Sequence, residues 1–95
     1  MPIPSFLQTY LASYDLTRMN VERDKDIIIT EILNKGDEDA LKWVTSTYSK
    51  EEVRQMITKP TKGMWMKRTL QYWMNILDVN LDKEIFNKAI LNLDP

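Results

Sequence analysis

A chain of 95 residues, 43% hydrophobic and 28% charged, has room for one packed domain and not for two independent cores; its composition excludes a disordered tail, a collagen-like repeat and low complexity. It contains neither cysteine nor histidine, which removes disulfides, thiol and imidazole nucleophiles, imidazole acid/base chemistry and every Cys/His zinc site. The net charge of −1 hides a segregation, with −4 over residues 15–39 and +4 over residues 50–68, so a basic middle segment inside an acidic protein faces either an acidic partner or nucleic acid.

Apolar residues recur at helical spacing almost throughout, and no long period-two alternation competes with them. The spacing predicts an all-α fold, a compact single-domain bundle of five to six short helices over residues 1–95. Phe6, Leu7, Tyr10, Leu11 and Tyr14 lie on one face of a first helix that starts near Pro4 and Ser5. Asn20 caps a second helix running to about Lys35, with Val21, Ile28, Ile29, Ile32 and Leu33 as its buried stripe and Gly36 as the left-handed residue that stops it. Asp37 is the N-cap of a third helix, so the second and third helices form a tight αα-hairpin. Ala40, Leu41, Val44 and Tyr48 face inward from the third helix, and Trp43 lies at the margin of that stripe.

Ser49 and Glu52 have the spacing of a capping box, which opens a fourth helix with Val53, Met56 and Ile57 on its inner face and Pro60 just beyond its end. The fifth helix runs from Gly63 to about Leu77 and is apolar over more than half its circumference: Met66, Leu70, Trp73, Met74 and Leu77 crowd one arc, and Trp65, Tyr72 and Ile76 extend it sideways. Such a helix packs on two sides or shows aromatic surface to a partner. Ile85, Phe86, Ala89, Ile90 and Leu93 give a sixth helix that docks along the fifth and ends at Asp94 and Pro95.

Three constellations bear on function. Residues 50–58, the turn 59–62 and the helix from Gly63 have the length pattern of a helix-turn-helix, in which Lys67, Arg68, Gln71 and Asn75 would meet phosphates or base edges and Arg54, Lys59 and Lys62 would add backbone contacts. A solvated polar strip needs the same residue types. The tryptophans and Tyr72 have the composition of an interface centre; Trp73, inside the main arc, reads as core, while Trp43 and Trp65, at stripe margins, are the protein-interface candidates together with Lys62, Lys67 and Arg68. The acidic pairs Asp24/Asp26, Glu22/Asp26 and Asp37/Asp39 read as helix-start acids that complement the helix dipole. No calcium-loop spacing, no phosphate-binding glycine loop and no paired-carboxylate site is present, so no catalytic residue, metal or cofactor is assigned and the chain reads as a non-enzyme. The absence of a signal-peptide pattern and of an apolar run near the roughly 18 residues of a membrane span predicts a cytoplasmic protein away from the membrane.

The run Ile32-Leu33-Asn34-Lys35-Gly36-Asp37, then Ala40-Leu41-Lys42-Trp43, Thr47-Tyr48-Ser49, Glu51-Glu52-Val53 and Thr69-Leu70-Gln71-Tyr72-Trp73 resembles a small bacterial all-helical family of unknown function. Members of that family are often encoded beside abortive-infection toxins that resemble nucleotidyltransferases. The resemblance implies an antitoxin or accessory partner role and brings no catalytic residues with it. It transfers the Gly36-Asp37 corner, Trp43, Tyr48 and Trp73, and the start Pro2-Ile3-Pro4-Ser5 with Ser13-Tyr14-Asp15-Leu16 resembles longer-tailed members, whose C-terminal extension is expected to be missing here. The three expectations are thus a protein-binding domain, a helix-turn-helix DNA binder, and a helical domain acting as a homodimer through its fifth helix.

Overall fold

The computed structural model describes residues 3–91. A 3₁₀ turn at Ser5–Thr9 is followed by five α-helices: α1 (Lys25–Lys35), α2 (Glu38–Thr47), α3 (Lys50–Thr58), α4 (Lys67–Ile76) and α5 (Lys83–Ala89). The fold is all-α, as the spacing predicts. Its centre is α1, which packs against α2, α3 and α4, while α3 also packs against α4. Ile28, Ile29 and Ile32 of α1 are fully buried with Leu7, Leu11, Val44, Ile57, Trp65 and Leu70. Burial of these side chains is the main stabilising contribution, at about 1.5–3 kcal/mol for each large one.

The expected first helix shortens to the 3₁₀ turn, with Leu7 and Leu11 buried and Phe6 largely exposed. The Gln8 amide explains the break: it donates to the carbonyls of Leu11 at 2.8 Å and Tyr14 at 2.9 Å, drawing the chain into successive turns. Asn20 caps a single turn and not α1 itself. Its Oδ1 accepts the N–H groups of Glu22 and Arg23 at 2.9 and 2.8 Å, and Asp24 in return accepts the Asn20 N–H at 2.8 Å. The helix proper then begins at Lys25, with Asp24 at its N-cap.

The corner between α1 and α2 forms where predicted, for a different reason. Gly36 is extended (φ −69°, ψ 150°), not left-handed. Glycine is required there by close approach, since a Cβ would lie 2.6 Å from the Ile32 carbonyl oxygen and 3.0 Å from the Ala40 Cβ. Asp37 caps α2 by accepting the Ala40 N–H at 2.9 Å, and Ser49 and Glu52 close the reciprocal capping box of α3, each bond 3.0 Å.

The largest departure is between α3 and α4. α4 begins at Lys67 and not at Gly63, so the two helices touch but are joined by eight residues, 59–66. A helix-turn-helix has a turn of about three or four residues, so the pair lacks that motif's connection. Residues 61–66 leave the helical path because other parts of the chain bind their backbone. Asn34 on α1 donates to the Met64 carbonyl at 2.8 Å and accepts the Met66 N–H at 3.1 Å, while the Thr30 and Thr61 hydroxyls lie 3.0 Å apart. On the other side, Gly63 and Trp65 donate to Lys88 and Ala89 at 2.9 and 3.0 Å, and the Leu91 N–H returns to the Trp65 carbonyl at 2.6 Å. This parallel bridge, with Phe86, Ala89 and Ile90 resting on the core, holds α5 in place. It takes the part that docking along the preceding helix was expected to play. Leu93, Asp94 and Pro95, the expected end of the last helix, lie outside the described residues.

Tyr48, at the end of α2, is buried and donates its hydroxyl to the Val21 carbonyl at 2.8 Å. Burial, with lesser contributions from the carboxylates of Glu22, Glu52 and Asp24, pushes its phenol well above the usual tyrosine range. A raised acid pKa favours the folded state below the unfolded tyrosine value of about 10, and that stabilisation is lost as pH rises above it. Tyr48→Phe should therefore lower stability at pH 8 by about 1 kcal/mol through the lost hydrogen bond. It should also flatten the decline between pH 9.5 and 11 in urea-melt midpoints; an unchanged alkaline decline would remove Tyr48 as its source.

Candidate functional site

The acidic residues that open the helices do structural work. The Ala40 N–H holds the Asp37 carboxyl below the usual range, and the Ser49 N–H does the same for Glu52. Asp24 is lowered first by Arg23 and then by the Asn20 N–H. Among the described residues no three acidic side chains are grouped to hold a metal ion, and no helix is long and apolar enough to cross a membrane.

The surface with exposed aromatic and cationic side chains is that of α4. Tyr72 is 57% exposed and Ile76, one turn on, is 55% exposed. Tyr72 meets Trp73 edge to face with ring centroids 5.3 Å apart. Trp73, expected in the core, is only partly buried. It separates two recesses. One, of about 350 Å³, is lined by Leu33, Leu41, Arg68, Thr69, Tyr72 and Trp73. The other, of about 260 Å³, is lined by Thr45, Tyr48, Lys50, Val53, Trp73 and Leu77, and its wall is mostly apolar.

Trp65, expected at a surface margin, has no solvent exposure. Because α4 starts only at Lys67, Trp65 belongs to the bridged segment and points into the core, so it offers nothing to a partner. Its indole N–H has no hydrogen-bond partner among the described residues. Trp43 packs edge-on against Tyr48 at 6.0 Å, remains partly exposed, and lines neither recess beside Trp73.

The cations divide along the chain, Lys83 apart, which forms no ion pair among the described residues. Arg18, Arg23, Lys25, Lys35, Lys42 and Lys88 each sit within ion-pair distance of a carboxylate. Among the described residues none of the six cations of the 50–68 segment is so paired. Lys59, Lys62, Lys67 and Arg68 are exposed, and Lys67, Gln71 and Asn75 follow one another at i+4 along the outer face of α4. Arg54 departs from its expected role as a phosphate contact. Its guanidinium points at the C-terminus of α4, donating to the carbonyls of Leu77 and Asp78 at 3.4 Å each. It supports a turn in which Asp78 takes φ 53° and the Val79 N–H bonds back to the Met74 carbonyl. Lys59 faces a separate recess shared with Lys25, Asp26, Glu51 and Glu52.

α4 also differs from the other α-helices at its start. The first turns of α1, α2, α3 and α5 carry acids, whereas α4 carries none and opens with Lys67 and Arg68, placing two cations at the positive end of the helix dipole. The recess beside Arg68 thus sets one exposed cation among apolar and polar side chains, Leu33, Leu41, Tyr72 and Trp73 with Thr69. Sequence reasoning named Arg68 and Lys67 and placed Leu33 and Leu41 on buried stripes, which they occupy while also edging the recess, but it read Trp73 as core. The available signal was the sideways extension of the apolar arc by Tyr72 and Ile76.

A family described as a family of unknown function (DUF6922) matches residues 8–57. The chain belongs to that family. The match runs from the 3₁₀ turn through most of α3, so the DUF6922 region supplies the α1, α2 and α3 sides of both recesses, and α4 lies beyond it. No curated protein and no solved structure matches the chain.

Proposed function

We propose that this DUF6922 protein is a non-enzymatic binding domain that docks onto another protein through the surface of α4. The observation that carries the reading is the coincidence there of exposed aromatic surface, two recesses that share Trp73, and cations without an ion pair among the described residues. Tyr72, Trp73 and Ile76 supply rigid apolar area, and Lys67 and Arg68 supply charge without an ion pair among the described residues. Aromatic and arginine anchors dominate interface energies, and uncompensated charge steers an oppositely charged partner. The lack of histidine and cysteine favours stoichiometric binding over catalysis. An antitoxin or accessory role toward a nucleotidyltransferase-like toxin is supported by the family resemblance of the sequence.

A second reading, DNA binding, has one specific observation in its favour: among the described residues none of the cations of residues 50–68 is ion-paired. The length of the 59–66 connection and the diversion of Arg54 weigh against it. Co-purification with a nucleotidyltransferase-like protein, with and without nuclease, separates the two. The expected result is a complex that survives nuclease and that Tyr72→Ala combined with Arg68→Glu weakens by about 2 kcal/mol or more, some thirtyfold, while far-UV circular dichroism and the melting temperature stay unchanged. Recovery of nucleic acid alone, with affinity falling steeply as salt rises, would replace this reading with the second.

A further inference from the structure

We infer that the groove between α2 and α4 receives an acidic amphipathic helix of the partner, which seats two apolar side chains four residues apart on either side of Trp73 and a carboxylate at Arg68. The inference rests on the reading of α4 as the binding surface and names the partner's chemistry. The two recesses share Trp73: the upper sets Leu33 of α1 and Leu41 of α2 against Arg68, Thr69 and Tyr72 of α4, and the lower sets Thr45 and Tyr48 from the end of α2, with Lys50 and Val53 of α3, against Leu77. The recesses are therefore successive stations along α4, one on each side of Trp73, with α2 beside both. Their α4 linings centre between residues 70 and 71 and near residue 75, a separation of about 7 Å at 1.5 Å rise per residue. An i, i+4 pair on a partner helix spans about 6 Å, so one face of such a helix presents side chains at the matching interval.

An extended peptide has similar spacing between alternate residues, but the walls here are helices whose backbone groups are already bonded. A strand laid between them would bury its own N–H and C=O groups without partners, whereas a helix satisfies them internally. Charge selects the sign of the occupant. Arg68 lines the upper recess and Lys50 the lower, and neither is ion-paired among the described residues. A carboxylate on the partner's polar edge would give Arg68 the counter-ion that no described residue of this chain supplies.

The test is a titration of the ¹⁵N-labelled full chain with lactam-bridged helical peptides followed by NMR. The first peptide carries leucines at i and i+4 flanked by glutamates, the second has lysine for every glutamate, and the third has alanine for both leucines. The expected result is saturable shifts at Leu41, Thr69, Tyr72 and the Trp73 indole with the first peptide, and affinities about tenfold or more weaker for the other two, equivalent to about 1.4 kcal/mol. Arg68→Glu should reverse the preference between glutamate and lysine peptides. Equal affinity for those two peptides, or shifts confined to another surface, would overturn the inference. So would the same groove shifts appearing with protein concentration and no peptide, which would assign the groove to a second copy of the chain. If the copurified partner still depends on Tyr72 and Arg68 while the peptides fail to discriminate, only the helical acidic occupant falls; if the partner is indifferent to α4, the binding reading falls as well.

Discussion

Replacing Trp65 by alanine should lower the unfolding free energy by about 3–5 kcal/mol, the range for deleting a large buried aromatic side chain. Trp65 is among the largest side chains with no solvent exposure, and its backbone holds the 61–66 segment against residues 88–91. The cavity left by its removal would therefore lie beneath the attachment of α5. Total stability of a 95-residue domain is about 5–14 kcal/mol, so the variant should unfold well below the wild-type urea midpoint. Trp65→Phe should retain most of the packing and also remove the buried indole N–H that has no partner among the described residues. Its cost should be smaller, about 1–2 kcal/mol. Trp73→Ala, on the partly buried groove ridge, should cost only about 1–2 kcal/mol, reflecting a smaller apolar area withdrawn from water. The check is the order of the urea midpoints, measured with the Trp65→Phe variant alongside. Trp73→Ala proving the more damaging alanine variant would contradict the placement of both indoles.

Gly36→Ala should destabilise by about 2–3 kcal/mol, the upper part of the range for forcing extra atoms into a packed site. The usual expectation has the opposite sign: at an unstrained position with negative φ, Gly→Ala stabilises by about 0.4–1 kcal/mol by restricting the unfolded chain. At φ −69° nothing in the backbone dihedrals forbids alanine. The penalty comes from space, because the new methyl group would meet the Ile32 carbonyl oxygen at 2.6 Å and the Ile32 Cγ2 at 2.9 Å. Both lie on α1, the helix against which the rest of the domain packs, so relief requires opening the α1–α2 corner. Gly63 is the control. It has φ 71° and open space around its would-be Cβ, so Gly63→Ala should cost only the left-handed backbone penalty of about 1–2 kcal/mol. A drop in melting temperature of about 8 °C or more for Gly36→Ala is expected at this chain length. A neutral or raised melting temperature would show that the corner relaxes around the methyl group.

Local chemistry was legible wherever the interacting groups lie within a few residues of each other. The Asp37 cap and the Ser49/Glu52 capping box each join residues three apart, and both form as the sequence predicts. The buried stripes of α1, α2 and α3 follow from helical period for the same reason. The reading failed where a distant segment supplied the decisive bond. Apolar period alone carries the fifth helix back to Gly63, and on that wheel Trp65 falls at the margin and Trp73 in the arc. Asn34 and residues 88–91 capture the backbone of 63–66 instead, which takes Trp65 off the wheel altogether. The candidate site was half legible: the basic segment and the aromatic surplus of α4 are plain in the sequence, but the groove needs Leu33 and Leu41 from helices that pack beside it.

The all-α class, the order of the helices, two of their caps and the segregation of charge into residues 50–68 are properties of the sequence, because helix period, capping and charge act over a few residues. Which tryptophan is buried and where α4 begins were decided by the tertiary structure. These depend on groups some thirty residues apart meeting in space, such as Asn34 with Met66 and Thr30 with Thr61, and no local pattern encodes such a meeting.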